Sequence, residues 1–533
     1  VSSLGRASAL LGAGTLVSRV TGLVRTIVLV AAIGSVGSRA ADAFGVANQL
    51  PNNLFTLIQT GILTAVIIPQ IIRAVSHDDG GQAFISKLFT LGTVVFLGVT
   101  AVAMLVAPWL VALYAGSAYT EEQFALATAF AYWCLPQIFF YGLYALIGET
   151  LNARRVFGPY TWAPIANNVI SIIGFILFIV FFGGDRTDVD WTPGMIAVIA
   201  GSATLGIVIQ AVALLFAWRK TGLHLRPDFR WRGVGLDQVG KLAGWTFLMV
   251  VVGQIAGWVQ TRIVSGATGE GPSVFAMQNA WLVFMLPYSI FAISIGTPYF
   301  TQISEHAAAR RDTEVRADVA RCIRAVSLFI VVSTAALIAA AVPASRIFTN
   351  GGDLAVMAAP VLICYLVGLL PLSLLFIVQR TFYAYGDTRT PFWFTVVQCV
   401  IIVVTALIAP VVVPLAQLGA AVALGQSIAG IIQTAIAMLL LRRRLGGLEI
   451  RGTGMALLRY LVAALPAGCA GWGVFLLLGG EQGWTNSDKL FGAIGTGIIG
   501  AVTLAVYMLI LALLRAPELE VGTRMLRKFL PRR

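Results

Sequence analysis

The amino-acid sequence predicts an all-α, polytopic membrane protein of about fourteen transmembrane helices, and three observations carry that prediction. Of 533 residues, 58% are hydrophobic and only 11% charged, whereas soluble globular chains carry roughly a quarter charged residues. Apolar runs of about 20 residues, each long enough to cross a hydrocarbon core of about 30 Å, recur along the whole length. The basic residues collect between those runs, in alternate connections.

In order, the first span is placed near 8–33, closed by Gly34 and carrying Arg19 and Arg25 within it; lacking a small-residue cleavage pattern, it is expected to stay in the mature protein. The second, near 42–72, is interrupted by Pro51 and ends at Arg73. Spans near 84–115 and 122–152 follow, the latter ending at Arg154-Arg155. Those near 158–182 and 193–218 end at Gly183-Gly184 and at Arg219-Lys220. After the longest connection come spans near 240–266 and 273–303, then 319–345 and 355–384, divided by Asn350-Gly351-Gly352. The spans near 391–411 and 414–441 end at Arg442-Arg443-Arg444, and those near 455–479 and 487–514 complete the set. No soluble domain is expected between them.

With the N-terminus inside, 28 of the 36 Lys+Arg fall in cytoplasmic connections and tails. Four (Arg39, Arg186, Arg346, Lys489) fall outside and four (Arg19, Arg25, Arg262, Arg380) within spans. Positive residues are retained on the cytoplasmic side, so this bias predicts both termini in the cytoplasm and an even number of spans. It also accounts for the net charge of +13 without a nucleic-acid partner.

An internal echo divides the chain. Glu149-Thr150-Leu151-Asn152-Ala153, followed by an arginine turn and Pro159, returns 231 residues later as Arg380-Thr381-Phe382-Tyr383-Ala384, followed by Asp387, Arg389 and Pro391. Six spans on with the same orientation is the pattern of parallel repeats related by an axis along the membrane normal. The expected organisation is an N-terminal lobe at 1–235, a second six-helix lobe at 236–445, and two further spans with a cytoplasmic tail at 446–533.

Bond chemistry finds no footing. Cys134, Cys322, Cys364, Cys399 and Cys469 show no paired or CxxC spacing. The three histidines (His77, His224, His306) all lie in connections, and no GxxxxGK[ST] loop is present. Neither a catalytic site, a metal nor a cofactor is expected.

The residues that stand out are charges and amides at membrane depth. Arg19 and Arg25 in Ser18-Arg19-Val20-Thr21-Gly22-Leu23-Val24-Arg25 lie about 9 Å apart along a helix and roughly 120° around it. A charge in the bilayer is costly unless it faces a cavity or a partner. The two arginines either bind an anion, or one snorkels while the other pairs with Asp42. The second span holds Asn48, Gln49, Asn52, Asn53, Gln59, Thr60 and Thr64, polar groups that line a wet cavity or bridge helices. Arg262 follows Gln254 and Gln260 near the outer end of the seventh span, where snorkelling and cavity lining serve equally. Arg380 lies near the cytoplasmic end of the tenth span, with Glu149 at its repeat equivalent, and Arg442-Arg443-Arg444 reads as a topological anchor. The candidate substrate-binding set is Arg19, Arg25, Asp42, Asn48, Asn52 and Arg262.

Three segments carry a family resemblance. Ser18 to Arg25, with Asp42-Ala43-Phe44, Ala47 and Pro51-Asn52, resembles the opening signature of the MurJ/MviN family of lipid II flippases within the MOP exporter superfamily. Leu151 to Phe157 with Ala163-Pro164 and Asn167-Asn168, and Phe382 to Pro391, are further matches. The resemblance implies two six-helix lobes around a cavity built by spans one, two, seven and eight, and a groove for the polyprenyl tail at spans thirteen and fourteen. It implies transport of an undecaprenyl-linked anionic glycolipid, lipid II, across the cytoplasmic (inner) membrane by alternating access, in contact with membrane lipids and with cell-wall synthesis or division proteins as further partners. Arg19 and Arg25 would then engage the diphosphate, with Asp42 as their acidic partner. The chain departs from better-known members where Phe55, Thr56 and Thr60 replace a basic pair and an acid, and where Gln278-Asn279-Ala280-Trp281-Leu282 lacks an arginine; in this it is similar to the actinobacterial branch. Some relatives bind sodium in the second lobe, where Asp387 is retained and Tyr383 replaces an amide. Export of another oligosaccharide-lipid or a drug, and a non-transporting scaffold for wall synthesis, are the competing functions.

Overall fold

The computed structural model describes residues 3–60, 81–154, 156, 158–224, 226–230, 240–448 and 450–516. The second half of the second span, Arg73, His77 and the tail from 517 onward lie outside the described residues. Contacts divide the chain into two compact units, Val1–Gly269 and Glu270–Arg533.

The first unit contains α1 (Ser3–Ile33), α2 (Arg39–Ile58), α3 (Gln82–Leu105), the short α4 (Ala107–Tyr114), α5 (Glu121–Cys134), α6 (Gln137–Ala153), α7 (Gly158–Phe182), α8 (Pro193–Trp218) and α9 (Gly240–Val264). The helices start where hydroxyl side chains meet the free N–H groups of a first turn: Ser38 accepts from Ala41, Thr120 from Gln123 and Thr192 from Met195. α7 packs along α1 and α8, and α6 along α3 and α8. Small residues permit these close crossings, as between helices that cannot use water to drive them together. A Cβ at Gly174 would come within 2.1 Å of Ser202 Cβ, one at Gly142 within 2.3 Å of the Phe96 ring, and one at Gly148 within 2.2 Å of the Tyr160 ring. Gly174→Ala is therefore expected to cost about 1–3 kcal/mol through overpacking, read as a lowered thermal midpoint in detergent; an unchanged midpoint would contradict the close α7–α8 crossing. Aromatic rings fill the remaining space, with Phe89 against Trp218 at 4.9 Å and Phe55 stacked on Tyr141 at 5.5 Å between centroids.

The second unit contains α10 (Val274–Pro287), a wide-turn segment Tyr288–Ile293, α11 (Ser294–Ala308), α12 (Asp312–Ala339), α13 (Ala341–Arg346), α14 (Gly352–Leu366), α15 (Leu369–Ala384), α16 (Arg389–Val412), α17 (Leu418–Arg444), α18 (Ile450–Leu477) and α19 (Lys489–Leu513). Its last two long helices pack on α12: Tyr460 and Tyr507 are buried among Leu328, Val331 and Ala463, and the Tyr507 hydroxyl donates to the Leu328 carbonyl at 3.1 Å.

Among the described residues, twelve helices are long and apolar enough to cross a membrane. With α1 and α2, which carry the intramembrane arginines and amides, they make the all-helical, polytopic architecture expected of about fourteen spans. The repeat echo has a geometric counterpart: α6 and α15 end on residues of matching conformation, Arg154 (φ −88°, ψ 9°) and Tyr385 (φ −89°, ψ 7°). In each turn an N–H reaches back five residues, Val156 to Leu151 at 2.8 Å and Asp387 to Phe382 at 3.0 Å. The contact boundary falls at Gly269 because α9 packs on α2 and α4.

The basic run at the end of α17 does more than face the solvent. Arg444 donates to Asp387 at 2.7 Å and lies 4.8 Å from the Tyr385 ring centre. Asp387 also accepts from the Thr390 N–H at 3.0 Å and hydroxyl at 2.8 Å, so this carboxylate is already engaged by the chain's own groups. Because the pair is partly exposed, Arg444→Ala is expected to lower stability by about 0.5–1 kcal/mol and Arg443→Ala to leave it unchanged. Equal thermal midpoints for the two variants would show that Arg444 is only an anchor.

Candidate substrate-binding site

α1 is held in rotation by one side chain. Asn168 on α7 donates to the Ser18 carbonyl and to the Thr21 hydroxyl, both at 3.0 Å, and a Cβ at Gly22 would sit 3.6 Å from its Nδ2. Ser18, Thr21 and Gly22 therefore face α7, and Arg25, seven residues or nearly two turns beyond Ser18, falls on the same side. Arg25 is half-buried, within electrostatic reach of the Tyr141 hydroxyl of α6. Arg19 is exposed. The two arginines thus occupy different environments, one lodged among helices and one open, as their 120° separation on a regular helix requires.

Asp42 does not stand on a wet wall. It has no exposed surface and accepts a 2.8 Å hydrogen bond from the Thr268 hydroxyl. Gln123 in turn donates to the Thr268 oxygen at 3.0 Å and to the Arg39 carbonyl at 3.1 Å. Each donor in this chain has one possible direction, because neither a carbonyl nor a carboxylate donates. The four groups make a buried node tying α2, α5 and the segment after α9 together. Asp42, expected to share a cavity with the arginines, is here a buried acceptor one turn into α2, under Thr268.

The polar residues of α2 separate by face. Asn48 is half-buried and Asn52 exposed, one turn apart, and Thr56 continues the row with its hydroxyl on the Asn52 carbonyl at 2.7 Å. Asn53 instead bridges helices, donating to the Tyr114 hydroxyl at 3.1 Å and accepting at its carbonyl from Gln254 at 3.3 Å. The helix-bridging reading of these amides holds for Asn53. Arg262 caps a helix: its Nη1 donates to the carbonyls of Ala112 at 2.6 Å and Ala115 at 3.0 Å, the free acceptors at the C-terminus of α4, where a cation is also favoured by the helix dipole. An arginine so placed ties α9 to α4 through Nη1.

Sequence reasoning missed Asn168, Gln123 and Thr268, neutral side chains whose importance comes from distant partners. It also passed over the setting of Arg380, whose exposed guanidinium lies between the Phe300 and Phe376 rings, 5.2 Å from each centre.

Residues 30–483 match the family model described as "Lipid II flippase MurJ". The chain belongs to the MurJ family. Among its relatives, "Probable lipid II flippase MurJ" of Synechocystis sp. is 25% identical over 99% of this chain and 98% of its own length. The protein of that name from Haemophilus influenzae is 26% identical over 86% of this chain and 90% of its own. A solved "Lipid II flippase MurJ, inward closed conformation" matches with a TM-score of 0.72 and 22% identity, covering 95% of this chain and 99% of that one. An inward-facing MATE multidrug transporter of the MOP superfamily matches with a TM-score of 0.62 and 15% identity, over 80% and 94%. The fold is therefore that of MOP exporters, and family membership together with twelve membrane-length helices makes the chain a multi-pass membrane transporter.

Proposed function

We propose that this chain translocates lipid II, the undecaprenyl-linked precursor of peptidoglycan, from the inner to the outer leaflet of the cytoplasmic membrane by alternating access. The observation that carries this reading is family membership over 454 of 533 residues, in a chain that spans nearly the full length of relatives bearing that name. In this reading Arg19 and Arg25 are the anion contacts, Asn48 and Asn52 of α2 supply hydrogen-bonding groups, and the lipid tail stays in the bilayer. Asp42 acts through the scaffold.

In this reading both termini lie in the cytoplasm, which the 28-to-4 distribution of basic residues supports. Single cysteines at Arg186 and Arg443 should accordingly be labelled from opposite sides of intact cells, and labelling from one side would overturn the topology. The function is tested by growth: the chain should rescue a strain depleted of its own lipid II flippase, and stable, inserted protein without rescue would refute it. The MATE-like fold keeps export of a different amphipathic cargo as the second reading, which predicts raised drug resistance in place of rescue.

A further inference from the structure

The connection that leaves α8 is laced to α3. Gln82, Ser86 and Thr90 stand four residues apart, on one face of α3. The His224 N–H donates to Gln82 Oε1 at 2.8 Å, and Gln82 Nε2 donates back to the His224 carbonyl. The Arg226 N–H donates to Ser86 Oγ at 3.4 Å and the Asp228 N–H to Thr90 Oγ1 at 2.9 Å. Thr90 directs its own proton to the Ser86 carbonyl at 2.8 Å, which leaves its oxygen to accept. Four residues of helix rise about 6 Å and two residues of extended chain about 6.6 Å, so the three rungs keep step. A ladder of this kind also gives a reason for three polar residues along one face of a membrane helix, since backbone beside lipid has to find its partners in the protein.

Both ends of the strap are fastened. Trp218 Nε1 donates to the Leu223 carbonyl at 3.0 Å, and both residues are buried in the core with Leu88 and Phe89. At the other end Arg230 closes on Asp228 at 3.1 Å. Only the nine residues 231–239 then separate Arg230 from Gly240, where α9 begins, and ten peptide links span at most about 36 Å. Were the ladder undone, residues 223–230 would lengthen that leash by about 26–29 Å. The far end of α9 is tied as well, by Arg262 and Ser265 to carbonyls at the C-terminus of α4.

We propose that the strap is a limiter: laced to α3, it sets how far the first half of α9 swings away from α3, and with it the width to which the cytoplasmic mouth opens. This rests on the transport reading above, because only a chain that alternates has an opening to limit.

The test is the distance between nitroxides on Ala83→Cys of α3 and Leu248→Cys of α9, both exposed positions, measured by double electron–electron resonance. The full chain is used in nanodiscs, with the exposed Cys469 replaced by serine. Gln82→Ala, Ser86→Ala and Thr90→Val together should move the long edge of the distance distribution outward by about 10 Å, well inside the length of chain released. Eight glycine and serine residues inserted between Arg232 and Gly233, which leave the ladder whole, should do the same, and the insertion carries the test if the triple variant does not fold. Hydrogen exchange at the His224, Arg226 and Asp228 amides tells the two apart: protected in the wild type and the insertion variant, fast in the triple variant. Arg443→Ala should change neither measurement. An unchanged distribution in the insertion variant, or in a triple variant whose ladder amides exchange fast, would overturn the limiter. So would fast exchange of those amides in the wild type. Neither readout needs lipid II, so a failure here is distinguishable from a failure of transport.

Discussion

Alanine at Arg25 is expected to abolish rescue of a flippase-depleted strain while the protein remains inserted at normal abundance. The guanidinium is half-buried beside Tyr141 on a helix whose rotation Asn168 fixes. A cation at that depth costs several kcal/mol unless it is used. Losing one charge-assisted contact to a diphosphate removes about 1.5–3 kcal/mol, roughly a tenfold to 150-fold fall in binding. Lysine at the same position should restore part of the activity, since the charge survives while the bidentate fork is lost. Arg443→Ala, at an exposed position, is the matched control. If Arg25→Ala and Arg443→Ala supported growth alike at equal membrane levels, Arg25 would have no part in the site.

Asp42→Ala should be the most damaging substitution to the fold itself. It removes the acceptor of the Thr268 hydroxyl in a fully buried node, and a hydrogen bond to a charged group is worth about 1.5–3 kcal/mol, with the stranded donor adding its own desolvation cost. Asp42→Asn keeps an acceptor oxygen at the same place and should recover much of the loss. Thermal unfolding in detergent distinguishes this from a substrate-binding role: a wild-type midpoint for Asp42→Ala together with lost transport would return Asp42 to the substrate.

Much of the architecture is legible in the sequence because bilayer thickness makes a span a long, countable object, and because basic residues mark alternate connections. The turns after Ala153 and Ala384 share composition and, in the structure, the same backbone geometry. The site was legible only in part. A charge at membrane depth draws attention to itself, so Arg19 and Arg25 stand out in the sequence, but composition cannot say what a charge is facing. Arg262 turned out to satisfy the carbonyls of α4, and Asp42 a threonine 226 residues away. The amides of α2 divide between an open row and a bridge to Tyr114, a division set by the rotation of that helix. Such partners are long-range contacts between neutral side chains, and nothing in their local spacing announces them.

Translocation of lipid II by the purified chain in proteoliposomes addresses the central claim most directly. With fluorescent or radiolabelled lipid II in the bilayer, the account predicts that the wild-type chain speeds transfer between leaflets well above protein-free vesicles, and that Arg25→Ala reconstituted to the same density returns the rate to that background. Folded, fully incorporated wild-type chain that leaves lipid II at the protein-free rate, or an Arg25→Ala variant as fast as the wild type, would contradict it.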